Sequence, residues 1–258
     1  MTNRKIEDNL GLLSDLQSFD KNAFIGDDKF SQELCNLVLA FALIWNDNKN
    51  LSLLIDHMQS VTPSDVQFDN PKDMPREPLR GEIAGVKMFV EKQFIALMHE
   101  LFKVIKESKE IINSTDFESV KSQIPPPYRA KWNEIYEAAT TKAPNKSSLG
   151  KILPMTRHKI AYHYDVGEII KGYRKKFMDT DELPLISRGN TMGSTRYYFA
   201  DGAAQEYYRS FIKNFSEEDY YKSFNGLRTA LNAGLKGVIE AFIQKRSPWR
   251  RFTDNSSE

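Results

Sequence analysis

Ile83-Ala-Gly-Val-Lys-Met-Phe-Val90-Glu-Lys-Gln-Phe94-Ile-Ala-Leu97-Met-His-Glu-Leu101-Phe-Lys-Val-Ile105 decides the fold class. Its apolar residues Ile83, Val86, Val90, Phe94, Leu97, Leu101 and Ile105 recur every three or four positions. That period draws one stripe down an α-helix and excludes the alternation of a half-buried strand. The same spacing returns near the C-terminus in Tyr220, Phe224, Leu227, Leu231, Leu235, Val238 and Phe242. Shorter helices are expected over Ser31–Trp45, Leu51–Val61 and Tyr128–Thr140. The fold class is therefore all-α, a single helical domain over 1–258.

Breakers fall between these segments. Asn46-Asp-Asn-Lys-Asn50 reads as a turn, and Pro63 to Pro78 and Lys142 to Leu153 read as loops. Pro125-Pro126-Pro127 ends one segment and pre-sets φ for the next helix. Leu183 to Ala200 departs from the helical period. Two short β-prone runs flank Gly189-Asn-Thr-Met-Gly193-Ser194, the pattern of a small β-hairpin insertion over 183–200. A frayed tail is expected over 253–258.

Composition narrows the function classes. The 36 Lys and Arg nearly balance the 35 Asp and Glu, so no global field marks a nucleic-acid binder and any polyanion site must be local. The one cysteine, Cys35, lies in the apolar run Leu34–Trp45 and reads as a small buried hydrophobe. The N-terminal residues show no apolar signal core. The longest apolar run, Leu37–Trp45, is far short of the ~20 residues that span a bilayer. The expectation is a cytoplasmic protein that does not enter a membrane.

Thr156-Arg-His-Lys-Ile-Ala-Tyr-His-Tyr-Asp165 carries the densest chemistry. Two of the four histidines and an arginine stand within seven residues, groups that titrate near neutrality or bind phosphate. Pro154 and Thr156 suit a helix start, with the Thr156 hydroxyl as N-cap. At ~100° per residue, Tyr162, Val166, Ile169, Tyr173 and Phe177 share the core stripe. Arg157, Ile160, Ala161 and Tyr164 face the other way. A second, partly apolar face calls for a cover, from the same chain or from a second subunit.

Arg157-His158, then four residues, then His163 resembles the motif of HEPN-domain ribonucleases, an arginine and a polar residue followed by a histidine. In detail the resemblance covers Thr156–Asp165; more loosely it covers the helical body. It implies a HEPN-like helical bundle with extra N-terminal helices and the hairpin as additions. It further implies a metal-independent endoribonuclease with no cofactor, acting as a homodimer whose paired motifs make one site on RNA. A toxin or phage-defence effector, restrained by an antitoxin protein, belongs to the same picture. The chemistry is consistent. Cleavage by the RNA's own 2′-OH needs proton transfer, which suits His163. It also needs a clamp on the phosphate oxygens, which suits Arg157. His158 would orient these groups.

Plainer roles compete. An arginine and two histidines at a helix start also cap it and pair with carboxylates such as Asp165. The same segment on a catalytically silent module would bind a protein or nucleotide. Two basic clusters interleaved with aromatics suit RNA: Lys171-Gly-Tyr-Arg174-Lys175-Lys-Phe177, and Lys245-Arg-Ser-Pro-Trp-Arg250-Arg251-Phe252. With Tyr162 they make Lys171, Arg174, Lys175, Arg250 and Arg251 the candidate RNA contacts. Solvated faces and helix C-termini favour such cations equally. Arg188, Arg196 and Tyr198 of the hairpin are more distant candidates. No metal site is implied, because no His-Glu-x-x-His, Glu-x-x-His or cysteine pair occurs. His57 and His99 stand alone, and Gly81-Glu-Ile-Ala-Gly85 is no phosphate loop. The small residues Gly226, Ala230, Gly234, Gly237 and Ala241 share a helix face, for close packing within the chain or against a second copy.

Overall fold

The computed structural model describes residues 17–61, 78–141, 166–211, 217–248 and 250–251. Among them helices dominate: α1 (Lys29–Val61), α2 (Pro78–Glu107), α3 (Lys109–Ile112), α4 (Thr115–Gln123), α5 (Pro126–Thr140), α6 (Val166–Tyr173), α7 (Tyr198–Phe211) and α8 (Glu217–Arg246). The strands β1 (Gln17–Ser18) and β2 (Arg250–Arg251) pair antiparallel, Gln17 opposite Arg251. The described residues group into two compact units. One holds 51–61, 78–99, 166–211 and 217–221; the other holds 17–50, 100–141, 222–248 and 250–251.

The second unit is built on aromatic packing. Trp132 of α5 is 1% exposed and meets Phe41 of α1 and Phe117 of α4 at ring separations of 5.5 and 5.4 Å. Burying rings of this size stabilises by roughly 2–3 kcal/mol each. The small residues of α8 serve this unit. A Cβ at Gly234 would come within 3.0 Å of Ile135 Cδ1, and one at Gly237 within 2.8 Å of Ile124 Cγ2. Glycine therefore lets α8 lie directly on α5 and its entry, so the close-packing reading holds within the chain. Gly226 has nothing within 4 Å.

The turn expected at Asn46–Asn50 does not form; α1 runs through it. Tertiary partners override the local preference of Asn and Asp for turns. Trp45 Nε1 donates to the Asn232 carbonyl at 3.1 Å, and the buried Asn48 amide donates to Asn232 Oδ1 at 2.5 Å. The proline rule works as expected: Pro126 and Pro127 take the opening positions of α5. Ser114 caps α4 by accepting from Phe117 N–H.

In the first unit, α6 and α7 pack face to face. Gly172 stands where a Cβ would meet Tyr207, and Gly202 where one would meet Lys176 and Phe177. The chain leaves α6 through a π-helical turn, Arg174–Met178, a local widening found often at functional sites. The segment 183–200 is not a full hairpin. It closes through one antiparallel bridge, Ser187 with Arg196. The run after it begins α7 at Tyr198, because Tyr198, Ala203 and Tyr207 bury at helical spacing.

Candidate functional site

Arg157, His158, Tyr162 and His163 lie outside the described residues, as do Thr156, Asp165 and the expected loops and tail. Their chain neighbour α6 is described, and it begins at Val166. The cations of its last turn and of the π-helical turn after it divide by role. Lys175 pairs with Glu206 of α7. Lys176 is 5% exposed, bonds Glu182 at 2.8 Å and lies over the Phe177 ring. Lys171 and Arg174 are exposed. An aromatic relay runs beside them. Tyr173 packs on Phe177 at 5.0 Å and meets Phe199 edge-on at 6.4 Å, and Phe199 meets Tyr197 at 6.0 Å.

The C-terminal basic cluster is partly structural. Arg246 is a clamp: Nη1 donates to the carbonyls of Ala23 and Ile25 and to Cys35 Sγ at 3.3 Å, and Nη2 donates to Ser31 Oγ. Its guanidinium also lies over the Phe242 ring. Lys245 donates to Ser119. Arg250 and Arg251 make the ladder with Ser18 and Gln17.

An ionic cluster whose partners the sequence did not reveal joins Glu82 of α2, Arg196 and Asp201 of α7. Arg196 Nη1 donates to Glu82 Oε1 at 2.7 Å, while Nε and Nη2 both donate to Asp201 Oδ2, at 3.0 and 2.9 Å. Gly85 leaves room for the guanidinium. Burial works against the charge, but the two carboxylates outweigh it and hold Arg196 in its charged form. Beside them is a cleft of about 70 Å³ lined by Gly81, Ala84, Gly85, Met88, Tyr198 and Asp201. Lys92 stands one helical turn beyond Met88. Burial pushes its ammonium below the usual lysine range, with Asp201 opposing the shift. Burial, then the charge of Glu82, pushes the Tyr198 phenol up. In the sequence Arg196 and Tyr198 stand out only as distant candidates of the hairpin, and Gly85, no phosphate loop, makes room for the Arg196 guanidinium.

Arg196 is thus ion-paired to Glu82 and Asp201, and Tyr198 is buried at the wall of the cleft. Among the described residues no group of three or more His, Cys, Asp or Glu is placed to hold a metal ion. No described helix is long and apolar enough to cross a membrane. No family model matches the chain, and no curated protein or solved structure does.

Proposed function

We propose that the chain is a HEPN-like, metal-independent endoribonuclease acting as a homodimer, with Arg157, His158 and His163 as its catalytic set. The observation that carries the reading is the Arg157-His158…His163 motif itself, set directly before α6. A mostly helical body and the exposed cations Lys171, in the last turn of α6, and Arg174, just after it, support the reading. His163 moves the proton and Arg157 holds the non-bridging oxygens. A toxin or defence role, with an antitoxin as partner, follows from the same resemblance. The test is incubation of total RNA with the purified chain in EDTA. Cleavage leaving 2′,3′-cyclic phosphate ends is expected. Cleavage that needs added Mg²⁺ or Mn²⁺ would refute the mechanism.

The second reading is a catalytically silent module that binds a protein. Exposed apolar side chains at Leu183, Ile186 and Met192 favour it. A folded chain inert on RNA would select it.

A further inference from the structure

We propose that the outer face of the 183–197 loop is a single-stranded RNA subsite, with Tyr197 as a base-stacking platform and Arg188 as a phosphate contact. The proposal takes its ligand class from the ribonuclease reading and its residues from the geometry.

The loop has two faces. Ser187 and Arg196 exchange both backbone hydrogen bonds at 2.9 Å. Ile186 and Tyr197 flank that bridge on one side, Arg188 and Thr195 on the other. Side chains alternate along each run. Arg196 turns inward to Glu82 and Asp201, so Ile186, Arg188, Thr195 and Tyr197 share the other face. There Tyr197 is 55% exposed, and Arg188 is exposed too. They follow directly on the two bridged residues, Arg188 after Ser187 and Tyr197 after Arg196, which suits a base and its adjoining phosphate.

The platform is pre-ordered. Thr195 Oγ1 donates to the carbonyls of Gly189 and Thr191 at 3.1 and 3.0 Å. Thr191 and Ser194 form a reciprocal capping box. Phe199 steadies the Tyr197 ring edge-on, at 72°. Binding therefore costs little loop ordering. Through Phe199 and Tyr173 the relay leads to Arg174. Among the described residues Arg174 and Arg188 have no carboxylate partner, whereas Lys175, Lys176 and Arg196 are paired. Two open cations flanking a chain of rings suit unstacked bases and their phosphates. Asp179 and Asp181, exposed ahead of the loop, weaken the local field. Affinity should thus lean on stacking more than on charge.

The test is fluorescence anisotropy with a short labelled poly(U) RNA, on the full chain carrying His163→Ala so that the probe stays intact. Tyr197→Ala should weaken binding on the order of 10-fold and Tyr197→Phe should leave it unchanged, since the ring face does the stacking. Arg188→Ala should weaken it severalfold and lower the salt slope by about 0.7. All three variants should melt like the parent. Binding indifferent to both alanine variants would overturn the proposal, as would no binding of the RNA at all. So would a change in self-association with RNA affinity intact, which would make the face a protein contact. The two readings separate in a parallel cleavage assay. Wild type that cleaves RNA while both variants bind normally sinks the subsite alone. Wild type that never cleaves, with binding lost in the variants, sinks the nuclease and keeps the subsite.

Discussion

Arg196 lies against Gly85 at the point where any Cβ on residue 85 would overlap its guanidinium. The overlapped edge, Nη2 and Nε, is the one that pairs with Asp201, so that ion pair depends on a missing side chain. Gly85→Ala should push the guanidinium off Asp201 and lower the thermal midpoint. In an Arg196→Ala background the same change should raise it, because alanine exceeds glycine in helix propensity by ~1 kcal/mol. A double-mutant cycle in which Gly85→Ala acts identically in both backgrounds would show that the two residues are not coupled.

Glycines on α8 separate in the same way. Gly237→Ala places a methyl within 2.7 Å of Tyr128 Cβ and should cost ~1–3 kcal/mol by overpacking. Gly226→Ala meets nothing and should stabilise by roughly 0.5–1 kcal/mol. Urea unfolding of both variants checks this; equal effects would contradict the packing described.

Cys35 is fully buried, and burial pushes its thiol up, with Arg246 pulling the other way. It should react with a thiol reagent only as fast as the unit opens. Arg246→Ala leaves the Ala23 and Ile25 carbonyls without their donor. That should cost roughly 1–3 kcal/mol and speed labelling through easier opening. Rapid labelling of the native chain would count against the burial.

Lys92 supplies a pH signature. Its folded-state pKa lies below its unfolded value, so between the two the unfolded chain binds more protons and stability rises with pH. Charged Lys92 is thus a destabilising group at neutral pH, a burden lost as pH climbs through its folded value. Lys92→Met should stabilise at pH 7, and the gain should shrink toward the lysine range near ~10.4. Denaturation curves across that interval would show it. A gain independent of pH would assign the effect to packing alone.

His163→Ala and Arg157→Ala should each slow RNA cleavage by ~10²–10⁴-fold, with the double variant little worse than either single one. Folded variants that cut RNA at the wild-type rate would remove the segment from the active site.

The helical class was legible wherever a long apolar stripe ran uninterrupted, as in Ile83–Ile105 and Tyr220–Phe242, because a helix repeats its geometry every 3.6 residues whatever it packs against. The same was true of the α5 start, where Pro126 needs no tertiary help to set φ. Asn46–Asn50 was misread because its partner, Asn232, stands far along the chain. The hairpin was half legible. Its turn chemistry is local and formed, but its second run was recruited into α7 by the burial of Tyr198.

The motif at Arg157–His163 belongs to the sequence alone, since a string of chemically distinctive residues needs no neighbours to be recognised. Which cations are open and which are spent was decided only by tertiary structure. Lys175, Lys176, Arg196 and Arg246 look the same in sequence as Arg174 and Arg188. What separates them is a carboxylate or carbonyl brought close by the fold: Glu206 of α7 for Lys175, Glu182 of the following loop for Lys176, Asp201 of α7 for Arg196 and the Ala23 carbonyl for Arg246; charge pairing depends on distance in space, which residue order does not encode.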